Sequence, residues 1–457
     1  MTNDTDIAEA VHAASLELLA DPGVKLEHPQ VLAAVLGAGG RPGRDAEVVR
    51  LPQELVAECL ARCPRQVALA DRRGGGRTLT ATSAPSLWSC PGMYLYRRGQ
   101  HRPFAARDME ETARLLDRLE RVDVVFGLSL DDVPPVRRDV VGLLHMAQNT
   151  TKHIRVLCFS PEGAAALVEM RRTVGPDPWL SLGFTAHGPL RWTWLALEIY
   201  RLTAGWGLPV TVNGEPMAGA SGPVTLAGSA AVGNAEILAG LVVNQVLEPG
   251  RPCMYNLGLA HTLDMRTGIA VTGGPENALL ARASAALGRF YGLPSASWVS
   301  TESMAPDAQA ALEKMFGFQT HVDRGVSAIW GVGQLESELT FSPAQAVIDD
   351  EMLGYIARYR RGLSVGEGDL ALDCTRRVGI AGSFMEDDHT LEHYRGAFFE
   401  PRLLCRQRRA VWRDRGASDL AVRAETVAAE LAAEPVDAGL DAAQVAELER
   451  LARGVGD

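Results

Sequence analysis

Residues 202–247 read LTAGWGLPVTVNGEPMAGASGPVTLAGSAAVGNAEILAGLVVNQVL, and Glu215 and Glu236 are the only charged residues among them. A stretch this poor in charge must be almost wholly buried, because charged side chains stay in water unless they are paired. It holds a β-rich run at 210–213, Val-Thr-Val-Asn, followed by a helical run at 225–247.

Outward from this unit the same pairing repeats. β-rich runs recur at 87–90, 122–130, 154–159, 181–185, 210–213, 253–256, 296–300 and 327–332. Most are continuously apolar, the pattern of strands covered on both faces, as in a parallel sheet. Helical segments are predicted between them at 108–119, 137–148, 161–173, 190–204, 225–247, 275–290, 306–318 and 343–361. Several open with proline in the first turn, where a missing N–H costs nothing: Ser160-Pro161, Gly274-Pro275, Ala305-Pro306 and Ser342-Pro343. Ser342 to Gln345 also reads as a capping box.

Eight strand–helix units over residues 86–361 suit a (β/α)8 TIM barrel, which takes about 250 residues. A doubly wound open sheet satisfies the same pattern. Residues 1–85 and 362–457 are more charged and are expected to be mainly helical extensions packed on the barrel domain. Leu420, Ala424, Val427 and Leu431 fall on one helix face. Arg73-Gly-Gly-Gly-Arg77 reads as a turn, since it lacks a phosphate-loop pattern. The helix at 225–247 is apolar on nearly every face. Its cover is expected from a terminal helical layer or from a second subunit of a homo-oligomer.

The chain has 457 residues and a formal net charge of −11. That balance excludes a nucleic-acid surface, which needs a stripe of Lys and Arg. The dense basic run 402–415 reads as an amphipathic helix with a solvated cationic face. No uninterrupted apolar run reaches the roughly 18 residues of a membrane span, and the polar, acidic first residues are not a signal peptide. A cytoplasmic protein is expected. Seven cysteines at irregular spacing argue against a disulfide framework. His389 and His393 share i, i+4 spacing but lack a third ligand nearby, so no intrinsic metal is predicted.

A barrel gathers its active site where the strands end at the C-terminal face. Those ends carry Ser129, Asp131 and Asp132, then His187, then Asn213 and Glu215. Asn256, then Ser300, Thr301 and Glu302, then Trp330 and Gln334 complete the set. Glu215 stands out, because a carboxylate in so apolar a setting needs a partner. It serves either as counter-charge to a cationic substrate or in a structural ion pair with a neighbouring Arg. Trp298, Trp330, Trp192, Phe184 and Tyr255 are candidates for an aromatic wall, which attracts quaternary ammonium groups, or for core filling.

Several blocks resemble the trimethylamine methyltransferase family. They are MAGASGPVTLAG (217–228), NAEILAG (234–240), PDAQAALE (306–313), GQLESELTFS (333–342), DDE (349–351) and DHTL (388–391), with GVKLE (23–27) and RLP (50–52) near the start. The order matches through nearly the whole chain. The resemblance implies a TIM barrel that moves a methyl group from an amine to Co(I) of a corrinoid (a cobalamin-type cofactor). A separate corrinoid protein would carry that cofactor and dock over the barrel mouth. Trimethylamine enzymes of this family carry pyrrolysine in the barrel site, in the region of residues 328–330 here. This chain has only standard residues. That departure resembles glycine betaine methyltransferase, whose donor is a quaternary amine with a ready-made tertiary-amine leaving group that needs no general acid.

The expectation is therefore a quaternary-amine:corrinoid methyltransferase. Glu215 and Glu302 would balance the ammonium, and Trp298, Trp330 and Phe184 would form its wall. His187, Asn213, Asn256 and Gln334 would orient a carboxylate or hydroxyl. A barrel methyltransferase for another methylated amine or a natural product, and a non-catalytic barrel that binds betaines or a corrinoid protein, remain open alternatives.

Overall fold

Eight parallel strands follow one another around a closed barrel in the computed structural model, which describes residues 3–456. They are β1 (Ser86–Ser89), β2 (Val124–Phe126), β3 (His153–Arg155), β4 (Leu180–Thr185), β5 (Val210–Asn213), β6 (Cys253–Gly258), β7 (Ser295–Trp298) and β8 (Ala328–Val332). Each pairs in parallel with the next, and β8 closes on β1 through Ala328 opposite Ser86. The outer helices are α1 (Ala106–Arg118), α2 (Arg138–Asn149), α3 (Pro161–Val174), α4 (Trp194–Leu202), α5 (Leu226–Leu247), α6 (Pro275–Tyr291), α7 (Ala308–Arg324) and α8 (Pro343–Arg360). All eight predicted units are present, so the barrel reading holds and the open sheet does not.

Strand parity divides the core in two. Trp88, Val124, Phe126, Met254, Ala296, Trp298, Ala328 and Trp330 point inward and pack together. The alternate residues, among them Leu87, Val125, Ile154, Val212 and Tyr255, point outward into the larger helix-facing core. Alternation along each strand requires this split.

The inner core has a floor. A hairpin of Val67–Ala70 and Gly76–Leu79 puts Val67, Leu69 and Leu79 into the same cluster. The turn read at 73–77 joins its arms. The Asp71 carboxylate accepts from the Arg73 and Gly75 amides, and Gly76 takes φ +123°, beyond easy reach of other residues. The hairpin is fastened where strands begin: Ala70 N donates to Pro178 O, Arg72 N to Thr151 O, and Ser327 Oγ to Thr80 O. It therefore seals the N-terminal end of the barrel. The N-terminal extension carries three helices, this hairpin and a short sheet.

Helix α5 is long and apolar enough to cross a membrane by length and composition alone. Here it is a core helix covered by the chain's own N-terminal helices, the first of the two expected covers. Ser15, on the helix Asp4–Ala20, donates to Ala231 O, and Asn234 donates to Ser15 Oγ.

Residues 349–351 tie three distant segments together. Asp349 meets Lys314 on α7, Asp350 meets Arg121 before β2, and Glu351 accepts from the amides of Arg402, Leu403 and Leu404. The run 402–415 corrects one expectation: it is not one amphipathic helix, since only Arg409–Asp414 of it is helical. Two helix starts shift as well. Asp307, not Ala305-Pro306, caps α7, because its carboxylate accepts from Ala310 N; α4 begins at Trp194 rather than 190. The Ser342 cap forms, but the Gln345 amide donates to Asp349 instead of closing a capping box. The helix Leu420–Ala433 buries Ala424, Ala428 and Ala432, with Leu420, Val427 and Leu431 packed beside them.

Candidate active site

Two cavities open at the C-terminal ends of the strands, and Glu215 and Glu338 line both. The first, of about 410 Å³, is bounded by Phe126, Arg155, Asn213 and Trp330 as well. The second, of about 460 Å³, is bounded by His187, Met217, His261 and Trp298. Volumes of this size admit a small organic molecule.

Glu215 follows β5 and stands at the boundary of the two cavities. No Lys, Arg or His lies against it among the described residues, and burial alone pushes its carboxyl up to about 7. Of its two expected roles, the structural ion pair is absent. Glu338 arrives from the other side, on the turn between Gln334–Leu335 and Thr340–Phe341 after β8. Burial and the charge of Glu215 push its carboxyl up to about 8. Both groups therefore titrate near neutrality, and neither is neutralised by the protein. A third carboxylate, Glu236 on α5, is fully buried and also rises to about 7, chiefly by burial. Its role is structural, since Oε1 accepts from Leu190 N at 2.8 Å and so holds the loop after β4.

The route to Glu338 is strained. Glu336, Ser337 and Glu338 have φ of 54°, 49° and 80°, a run of three non-glycine residues in the left-handed region. Strain of this kind persists only where the surroundings impose it, and it gathers at functional sites. Glu302 is among those surroundings. Its Oε1 accepts from Thr272 N, Thr272 Oγ1, Gly273 N and, at 3.4 Å, Ser337 Oγ. Glu302 thus clamps the loops after β6 and β8 instead of lining either cavity.

Arg155 is the cation of the site. It lies inside the barrel on β3, 5% exposed, with its guanidinium 5.1 Å from the Phe126 ring centre and 6.0 Å from that of Trp330. Nη1 donates to Val156 O and Nη2 to Thr211 Oγ1, while Nε has no partner. No carboxylate pairs with it among the described residues, and burial lowers it to about 9. Gly183 makes the room. A Cβ there would stand 1.6 Å from Nη2 of Arg155.

The remaining predicted residues divide by strand parity. Asn213 lines the first cavity, donates to Thr185 Oγ1 and accepts from Asn256 Nδ2; Asn256 lies behind it, fully buried. Trp330 is stacked on Trp88 at 5.7 Å and forms the cavity floor with Phe126, while Trp298 borders the second cavity. His187 is exposed at the rim of that second cavity. Gln334 is buried, and neither atom of its amide has a partner. Phe184 does not reach the site. Gly183 and Thr185 face inward, so Phe184 faces outward and stacks on Tyr200 at 3.6 Å. Trp192 and Tyr255 likewise belong to the outer core, held by Glu236 O and Asn234.

Arg155 and Glu338 are absent from the sequence-based candidates. A charged residue inside the apolar run 154–159 is a visible sign for the first. Glu338 sits within the family-like block 333–342 but beyond the strand end. Among the described residues no group of three His, Cys, Asp or Glu could hold a metal ion. His389 and His393 lie side by side on an outlying helix, Asp388–Ala397, with ring centres 4.5 Å apart and planes tilted by 45°.

Known proteins match nearly the whole of this chain. The profile of the trimethylamine methyltransferase (MTTB) family matches residues 2–453. Trimethylamine methyltransferase MttB of Desulfitobacterium hafniense is 30% identical over 437 residues, covering 91% of this chain and 86% of that protein. The Methanosarcina barkeri MttB is 30% identical over 464 residues, covering 95% and 92%. Glycine betaine methyltransferase of D. hafniense is 28% identical over 427 residues, covering 89% and 87%. Among solved structures, the M. barkeri monomethylamine methyltransferase (MtmB) shares the fold, with a TM-score of 0.56 at 13% identity, over 96% of this chain and 89% of that one. The chain is a methyltransferase and belongs to the trimethylamine methyltransferase family.

Proposed function

We propose that the protein transfers a methyl group from a quaternary amine to a corrinoid carried by a separate protein seated over the barrel mouth. One observation carries the reading: Glu215 and Glu338 face the same cavities with no cationic partner among the described residues. An ammonium ion supplies what the protein leaves out. The carboxylates hold the cation, Trp330, Phe126 and Leu339 exclude water around it, and the methyl to be moved points to the open mouth. The corrinoid, when docked, supplies the Co(I) nucleophile.

The rim suits a protein partner. Met93, Phe159, Val224, Met265, Ile269 and Met304 are exposed in loops that follow barrel strands. Apolar groups collected around a cavity mouth mark an interaction surface. The similarity to a glycine betaine methyltransferase supports a quaternary donor. A tertiary methylamine is the second reading, favoured by the raised carboxyl of Glu338, which would be protonated at neutral pH and available to the amine.

The test mixes the protein with a corrinoid protein reduced to Co(I) and a panel of quaternary and tertiary methylamines. Corrinoid absorbance and mass spectrometry of the demethylated amine report the reaction. Release of a tertiary amine from a quaternary donor is expected. Turnover of tertiary donors alone would favour the second reading, and no demethylated product from any of the panel would overturn both.

A further inference from the structure

We propose that the arm at residues 362–415 is the surface by which two copies of this chain pair about a two-fold axis, the acidic half of each arm set against the basic half of the other.

The arm branches from the end of α8. Arg358 donates to Ala397 O, the Tyr355 and Phe399 rings meet edge to face at 5.5 Å, and Glu351 accepts from the amides of 402–404. Beyond these ties the arm has almost no core of its own. Among its described residues only Cys374 and Leu403 are buried. The helices Leu372–Val378 and Asp388–Ala397 are fastened to each other through Asp387, which accepts from Arg377 and Cys374. Helices of seven and ten residues are marginal in water without packing. Yet Leu363, Val365, Ile380, Met385, Leu391 and Phe398 are each more than two-thirds exposed. That much apolar surface on one short segment marks a contact left open.

Charge names the occupant. Residues 362–392 carry seven carboxylates and two arginines, whereas 393–415 carry seven arginines and two carboxylates. The two arginines of the acidic half are already paired, with Asp373 and Asp387. None of the seven arginines of the basic half has an ion pair among the described residues. Arg358 and Arg361 also make none with Asp369 or Glu392, across the cleft of about 460 Å³ that these residues line. The arm is thus acidic at one end and basic at the other, and its own subunit neutralises neither. In a two-fold contact residue i meets j and j meets i, so such a surface is its own complement. A partner of another kind would have to carry both charges in reverse order; a second copy has them by construction. Apolar contact supplies the area, and the charges set the register. α8 carries the chain back from the barrel mouth, as a crossover between parallel strands must, so the arm leaves from the sealed end. The mouths of both copies stay open.

The mass of the full-length chain at micromolar concentration tests this, by light scattering after size exclusion and by native mass spectrometry. An even number of copies of the 49.0 kDa chain is expected. Arg408→Glu with Arg413→Glu sets two acidic halves against each other and should halve that mass. Glu386→Lys with Glu392→Lys sets two basic halves together and should do the same. Mixing the two variants joins opposite charges again at every contact and should restore the mass, as should all four changes in one chain. Thermal unfolding checks that the variants fold. A monomer, an odd number of copies, an assembly that neither reversal alters, or halves that do not recombine on mixing would each overturn the pairing.

Discussion

Lys314 Nζ donates to Asp349 Oδ2 at 2.6 Å with both side chains fully out of solvent, and the same ammonium group donates to Gly331 O and Gln334 O. Asp349 Oδ2 accepts in turn from Gly333 N at 2.7 Å. One buried ion pair thus pins the backbone that leaves β8 and leads to Glu338. Removing a single partner strands a charge in the core. Lys314→Met is expected to destabilise the fold by about 3–5 kcal/mol, read by chemical denaturation. The double change Lys314→Met with Asp349→Leu should cost less than Asp349→Leu and Lys314→Met added together.

The raised carboxyls predict opposite pH trends for folding and for binding. Their ordinary value is 4.5, against about 7 for Glu215 and about 8 for Glu338 in the fold. Between about pH 5 and 8 the folded chain therefore holds more protons than the unfolded one, and stability falls as pH rises through that window. A bound ammonium needs the ionised form, so its affinity should rise over the same range. Calorimetry of a quaternary amine in buffers of different ionisation enthalpy is expected to show proton release near pH 7. Glu338→Gln should flatten the upper part of both curves; unchanged curves would remove Glu338 from the site.

Glu302 and Glu215 should separate cleanly under mutation. Glu302 clamps Thr272, Gly273 and Ser337, whereas Glu215 lines the cavities and makes no hydrogen bond among the described residues. Glu302→Gln is expected to speed amide exchange across 270–273 and 336–339 and to weaken amine binding only through that loosening. Glu215→Gln should leave exchange unchanged and weaken a cationic ligand by about tenfold or more.

The hairpin floor makes a stability prediction with no counterpart in binding. Leu69 is 1% exposed inside the barrel cluster. Leu69→Ala should cost about 2–5 kcal/mol through lost transfer energy and a residual cavity. The amine affinity should stay within about twofold, since the hairpin meets the opposite end of the barrel; the two quantities are read by denaturation and calorimetry.

The barrel was legible because its strands are covered on both faces and appear as apolar runs between helical patterns. That same cover hid the facing of individual residues. Phe184 lies in an apolar strand where Gly183 and Thr185 take the inner positions, and nothing in a continuous apolar run marks parity. Arg155 carried a visible sign, a charge among Ile154, Val156 and Leu157, but the apolar run continues to Phe159 and hid that the strand ends at Arg155. Glu338 depends on three successive residues at positive φ, none of them glycine, and composition does not announce such a path. Glu215 was legible from the scarcity of charge around it. The floor was half legible: Gly74 to Gly76 announced a turn, while the closure by Val67, Leu69 and Leu79 arises from contacts distant in sequence.

The hairpin that plugs the N-terminal end leaves the barrel with one doorway. Donor, demethylated product and any protein seated on the rim must share that passage, and no rear exit relieves the traffic. A partner resting on the exposed apolar rim would lock in whatever already occupies the chamber. With the proposed partner, turnover would take a compulsory sequence: the amine would enter before the partner settles, and the product would depart only after the partner lifts. Excess partner should consequently slow steady-state turnover, as a guest that arrives early bars the way.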